Sequence, residues 1–135
     1  MPAPIAEATA ETLPFWEAAA RGELLYQRCR RCGKVQFYPR GHCAACAHRA
    51  LDFEPSAGHG TIYSFTIVHR APSAAFRDLV PYVIALVDMA EGFRLMVNLL
   101  GSDAVSGAAI GRPVRIVFAK RGEGQAVLPQ AELVA

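Results

Sequence analysis

Four cysteines, Cys29, Cys32, Cys43 and Cys46, stand as two C-x2-C pairs with ten residues between them, and the chain holds no others. Each pair makes a tight turn that presents two sulfurs from one side, so two facing pairs build a tetrahedral S4 cage. Soft thiolates in that geometry select zinc, with iron as the substitute. Gly33 follows the first pair, where the chain must turn with positive φ. A closed S4 site leaves no open position for water or substrate, so the metal is expected to be structural. His42 and His48 flank the second pair, but four sulfurs need neither as a ligand. Two disulfides or a redox dithiol are the alternatives. Pairing within a C-x-x-C is rare outside redox enzymes, and the spacing favours the metal.

At 135 residues the chain suffices for one core domain and a small metal-stapled module. Its 53% hydrophobic and 19% charged residues exclude a disordered chain and leave more apolar surface than a monomer this size hides easily. The first sixteen residues, MPAPIAEATAETLPFW, lack the basic and apolar regions of an export signal. No stretch is long enough to cross a membrane as a helix. A reducing cytoplasm is the expected compartment.

Charge is unevenly placed. Seven basic residues between Arg21 and Arg49 face one acid, Glu23, so this segment is +6 and the remainder of the +2 chain is −4. Such a patch suggests nucleic acid. Zinc with four thiolates carries −2, however, which brings the whole protein close to neutral. Phosphate neutralisation supplies most non-specific DNA affinity, so nucleic acid is the weaker expectation and another acidic partner the stronger.

The pattern along the chain is mainly β. After an Ala/Pro/Glu-rich arm, Thr12 is placed to cap a helix over Leu13–Ala20, with Gly22 beyond its end. Phe15 and Trp16 on so short a helix must dock on the body of the protein or on a partner. Strands are predicted over Leu24–Tyr26, Val35–Tyr38 and Leu51–Glu54, framing the two cysteine turns as a metal ribbon too small to fold alone. Residues 55–60 form a short junction. Beyond it, alternation predicts strands over Thr61–Val68, 81–89, 93–99, Pro113–Ala119 and Ala126–Val134. A weak helical turn over Val105–Gly111 precedes the fourth of these, and Arg121–Gly124 reads as a turn before the last. Five such strands predict a small closed barrel of the OB type, with a β-sandwich as the second choice. The expected divisions are an arm and short helix over 1–23, a ribbon over 24–55 and a barrel over 56–135.

Laid out in this way, the chain resembles a known family. The matching residues are Phe15-Trp16, Gly22-Glu23-Leu24, Gln27-x-Cys29-x-x-Cys32-Gly33 and Pro39-Arg40-x-x-Cys43-x-x-Cys46. They continue as Gly58-x-Gly60-x-Ile62-Tyr63-Ser64-Phe65-Thr66, Pro81-Tyr82, Glu91-Gly92-x-Arg94 and Ile110-Gly111-x-Pro113-Val114. Together they resemble the rubredoxin-like zinc-ribbon/OB-fold proteins associated with acyl-CoA enzymes. That resemblance implies a non-catalytic accessory subunit bound to a thiolase-like enzyme or a hotdog-fold hydratase and supporting its acyl-CoA site, with indirect contact to CoA possible and direct contact by the barrel left open. It implies that the barrel is the main docking element, with contacts added by the ribbon and helix.

The residues themselves agree on catalysis. With every thiol committed to metal, none of His42, His48, His59 and His69 has a cysteine nucleophile to activate, and no serine sits in a G-x-S-x-G elbow. The loop from His69 to Arg77, with Arg70, Phe76 and Arg77, has the composition of an interface, since arginine and aromatic residues concentrate in hot spots. Arginine also reaches phosphates such as those of CoA. The expected partner contacts are therefore Phe15, Trp16, Arg70, Phe76 and Arg77. The rival reading is a single-stranded nucleic-acid binder that stacks bases on Tyr63, Phe65 and Tyr82.

Overall fold

Period-2 alternation in the second half of the chain closes into a barrel. The computed structural model describes residues 6–120 and 126–134. The expected turn at 121–124 and the first five residues of the arm lie outside these. The chain opens with helix α1 (Leu13–Ala20), then strands β1 (Leu25–Cys29), β2 (Val35–Gln36) and β3 (Leu51–Pro55). Strands β4 (His59–Val68), β5 (Tyr82–Met89) and β6 (Arg94–Leu100) follow, then helix α2 (Ala104–Gly107), β7 (Pro113–Lys120) and β8 (Val127–Leu133). The first three strands form a sheet in the order β2-β1-β3, and the last five close as β4-β5-β6-β8-β7. This is the mainly β fold, ribbon followed by OB barrel, that the sequence predicts.

Alternation sets what the barrel buries. On β5, Val83, Ala85, Val87 and Met89 point inward, while Tyr82, Ile84, Leu86 and Asp88 stay half-exposed on the outer face. Ile62, Val83, Val87, Leu95 and Val114 are fully buried, each worth roughly 1.5–3 kcal/mol on the usual area scale. Closure is thinnest at the parallel seam between β6 and β8, where only Leu99 pairs with Ala131 and Leu100 with Glu132. There the buried Gln130 accepts a hydrogen bond from the Asn98 backbone N–H at 3.0 Å, so a side chain extends the ladder.

Ribbon and barrel share one core. Tyr26 of β1 stacks on Phe93 just before β6, rings 4.8 Å apart, and Phe37 bridges Phe93 at 5.6 Å and Phe15 at 5.4 Å. Aromatic pairs of this kind add about 0.5–1.5 kcal/mol each beyond the area they bury. Helix α1 turns Phe15, Ala18 and Ala19 inward, the i, i+3, i+4 stripe of an amphipathic helix. Glu91, in the hairpin between β5 and β6, clasps the junction: it accepts from Ser56 Oγ at 2.8 Å and from the Ala57 backbone N–H at 2.7 Å.

Three local expectations change. Strand β2 stops at Gln36, two residues early, because Phe37 and Tyr38 leave the ladder for the aromatic cluster. Thr12 makes no side-chain cap to α1; its hydroxyl turns back toward Thr9. The segment from Ala74 to Leu79, expected as open loop, winds into a 3-10 helix that rests Phe76 near Tyr82.

Gly60 is required by close approach. A Cβ at this position would stand 2.6 Å from the Asp88 carbonyl oxygen and 2.7 Å from a Val87 methyl, and backbone cannot yield cheaply. Gly60→Ala is expected to cost about 1–3 kcal/mol, the usual range for overpacking, read as a lower midpoint in chemical denaturation. An unchanged midpoint would mean that β4 and β5 pack less closely than described.

Candidate metal centre

The two cysteine turns meet where β1 ends and the long loop before β3 folds back. All four sulfur atoms lie within 4.8 Å of one another. The closest approaches cross between the turns: Cys29 Sγ to Cys46 Sγ is 3.7 Å and Cys32 Sγ to Cys43 Sγ is 3.6 Å. A tetrahedral ion with metal–sulfur bonds of about 2.3 Å separates its sulfurs by about 3.8 Å. Disulfides would need about 2.05 Å. The residues therefore fit an S4-bound ion, and these separations are not those of disulfides. Cys29 and Cys43 are buried, Cys46 is half-buried and Cys32 exposed, so the cage sits at the surface with one side toward solvent.

Backbone N–H groups point at the sulfurs and favour the thiolate. The Cys43 thiol is pulled down to about 6, first by the Cys46 N–H and then by that of Ala45, whose nitrogen lies 3.3 Å from the sulfur. Cys29 is lowered chiefly by the Cys32 N–H. Cys46 runs the other way. The His48 N–H pulls it down, but burial and the neighbouring thiols of Cys29, Cys43 and Cys32 hold it up at about 11. A cation binds thiolates, so loading this cluster releases the protons its thiols hold, which couples metal binding to pH.

Two glutamines hold the second turn against the first. Gln27 and Gln36 are paired across β1 and β2. The buried Gln27 donates to the Arg40 carbonyl at 2.9 Å, and its oxygen accepts from the Arg40 N–H at 2.9 Å and from Gln36 Nε2 at 2.8 Å. Gln36 Oε1 accepts from the Ala44 N–H at 2.8 Å, and its Nε2 donates to the His42 carbonyl at 3.2 Å. The loop that carries Cys43 is thus anchored by side chains where it has no strand partner.

The ribbon's cations are partly spoken for. Arg28 donates to Glu54 at 3.0 Å and to the Gly33 carbonyl, and Tyr26 donates to the same carboxylate at 2.9 Å. Arg30 pairs with Asp52 at 3.7 Å and Arg21 with Glu23 at 3.2 Å. Three of the seven basic residues therefore face acids. Two of those acids come from β3, which the linear sequence does not place beside them. Among the described residues no ion pair engages Arg31, Lys34, Arg40 or Arg49. Two of the three stacking candidates are also occupied: Arg94 lies 3.5 Å above the Tyr63 ring, and Phe65 packs against the core, while Tyr82 is half-exposed beside Phe76.

The expected contact residues fall in two places. Phe15 is turned into the chain's own core, while Trp16 beside it is half-exposed. Arg70 and Arg77 are exposed, and Phe76 is half-buried on the wall of a cavity of about 390 Å³ at the barrel's end. That cavity is lined by apolar side chains such as Leu79, Tyr82 and Val105, and among the described residues Lys120 is the one charged side chain on its wall.

A ribbon with an S4 cluster fused to a five-stranded OB barrel defines the class. A family model of the ChsH2 rubredoxin-like zinc ribbon domain matches residues 16–54, and one of the ChsH2 C-terminal OB-fold domain matches residues 53–119. A DUF35 domain-containing scaffold protein of Methanothermobacter thermautotrophicus is 34% identical over 118 residues, covering 85% of this chain and 87% of its own. A probable enoyl-CoA hydratase alpha subunit of Thermomonospora curvata is 41% identical over 101 residues, 74% of this chain but only 31% of that subunit. This chain thus spans about a third of the hydratase subunit it matches. A solved Ltp2-ChsH2(DUF35) aldolase superposes with a TM-score of 0.83 at 32% identity, over 96% of this chain and 99% of that one. The chain belongs to the DUF35 family of ChsH2-type zinc-ribbon/OB-fold proteins.

Two predictions test the site's surroundings. Ala47, just past the second cysteine pair, has φ +65°, the conformation that Gly33 adopts past the first. Left-handed backbone costs a non-glycine residue roughly 1–2 kcal/mol, of which glycine's greater chain entropy takes back about 0.5–1 kcal/mol. Ala47→Gly is expected to stabilise the metal-loaded chain by about 0.5–1 kcal/mol in thermal melts; a loss of stability contradicts the assignment. For Glu54, hydrogen bonds from Arg28 and then Tyr26 hold the carboxyl below its ordinary 4.5. A carboxyl lowered by folding stabilises the fold above its unfolded pKa, and that stability is lost as pH falls through the folded value. Glu54→Gln should therefore melt lower than the parent at neutral pH, with the gap closing as the medium is acidified below about 4.5. A gap independent of pH would show that the pairing adds nothing.

Proposed function

We propose that this protein is a non-catalytic accessory subunit that docks on a thiolase-like or related acyl-CoA enzyme and supports that enzyme's reaction. The observation that carries the reading is the commitment of all four thiols to one S4 cluster on a ribbon welded to an OB barrel. The protein is then equipped to hold a partner, with no cysteine left to act as a nucleophile. The scaffold name of the archaeal relative, and the aldolase in which the solved relative takes part, support the same assignment.

The ion at Cys29, Cys32, Cys43 and Cys46 is zinc, with iron as a substitute, and its role is to fold the ribbon. Zinc bound there supplies structural bonds only. The ribbon over 24–55 and the barrel over 56–135, with the arm and helix over 1–23, act as one docking body. Trp16 and the segment carrying Arg70, Phe76 and Arg77 contribute partner contacts; Phe15 supports Trp16 from within. Contact with CoA is indirect, through the partner's site. Four reduced thiols suit the cytoplasm as the working compartment, and no helix among the described residues is long and apolar enough to cross a membrane.

Co-expression with each thiolase-like and hotdog-fold protein of the same genome, followed by gel filtration and metal analysis, tests this. One of them is expected to co-elute with the chain, with one zinc per chain. Phe76→Ala with Arg77→Ala should weaken that complex by about tenfold or more while zinc content stays intact. Acyl-CoA turnover by the chain alone contradicts the proposal. So does oligonucleotide affinity that falls steeply with salt.

A further inference from the structure

A second hollow lies where helix, ribbon and barrel meet. Its volume is about 160 Å³, and none of the eleven described residues lining it carries a charge. Trp16 of α1, Tyr38 beyond β2, Met96 of β6 and Leu128 with Pro129 of β8 form its walls, so every module of the fold contributes. Two of these side chains are unusually bare for their type: Met96 is 56% exposed and Tyr38 47%.

The hollow continues into a strip on the outer face of the barrel. Met96 stands opposite Leu86 in the β5–β6 register, and Ile84 lies one outward position farther along β5, opposite Asn98. In the other direction the strip ends at Asp88 and Arg94, paired at 2.7 Å, with Arg94 laid over Tyr63. An apolar centre holding Trp, Tyr and Met, edged by paired charges and an amide, has the make-up of a protein–protein interface.

We infer that this strip receives the acyl-CoA enzyme subunit, with one bulky apolar side chain of that subunit seated between Trp16, Tyr38, Met96 and Leu128. This rests on the function proposed above and gives it a surface. Size argues for a side chain: sites for free small molecules occupy about 300–1,000 Å³. The uncharged lining argues for an apolar one, since a charge desolvated there would meet no counter-ion among the described residues. The solved relative argues for a partner subunit, because 99% of its chain aligns with this fold and it belongs to an Ltp2-ChsH2(DUF35) aldolase. A fold of this extent, with nothing added, suffices to carry that kind of contact.

The test uses the full metal-loaded chain and whichever enzyme co-elutes with it in the co-expression screen, with affinity measured by titration calorimetry. Met96→Glu puts a charge at the centre of the strip without touching the core, and is expected to weaken binding by about 100-fold. Met96→Leu, which keeps the apolar surface, should stay within about threefold of the parent. Melting temperature and metal content should match the parent in both variants. Undiminished binding by Met96→Glu overturns this surface and leaves the accessory function standing. If the free chain is a dimer that Met96→Glu splits, the occupant is a second copy and the inference falls. If the unaltered chain binds none of these enzymes, the proposed function fails, and this surface with it.

Discussion

Four sulfurs that must share one small volume constrain everything upstream of the barrel. To bring Cys29 within 3.7 Å of Cys46, and Cys32 within 3.6 Å of Cys43, the chain between them has to reverse twice over a stretch with one two-residue strand. A thirty-residue ribbon has too little core to hold such a path. The structure supplements it with the Gln27–Gln36 clamp, with Arg28 on the Gly33 carbonyl, and with backbone N–H groups aimed at sulfur. Each of these aligns the thiols. On the proposed reading, an ion closes the arrangement.

The ribbon is not an appendage swinging from the barrel. Tyr26 stacked on Phe93, Phe37 between Phe93 and Phe15, and Glu91 across the junction tie it at three separate places. Ordering the cysteine turns therefore also orders the aromatic cluster that roofs the barrel, and with it the position of Trp16 and Tyr38. On the proposed reading, a metal at the cluster acts on the surface around Trp16 and Tyr38 through packing alone, as the proposed accessory role requires.

Much of this was legible from the chain. The spacing of the cysteines announced the cluster, because ligand geometry is imposed over a few residues. Period-2 alternation in Thr61–Val68 and in the strand after Pro81 announced the barrel. What could not be read was nonlocal pairing. Glu54 and Asp52 neutralise Arg28 and Arg30 only because β3 lies beside β1. Gln130 looks like a surface glutamine in sequence, yet it is buried at a seam that exists only once the barrel closes. Ala47 carries no sign of its positive φ, since only the comparison with Gly33 in three dimensions shows that the two turns share one backbone form. Phe37 and Tyr38 continue the strand pattern, and a competing aromatic cluster overrules it.

Hydrogen exchange read peptide by peptide, before and after a chelator strips the metal, tests the central claim most directly. The account predicts that protection collapses across 25–55, falls in the aromatic contacts around Phe15 and Phe93, and persists in the inward residues of β5 and β7. Full protection of the ribbon in the metal-free chain would contradict it.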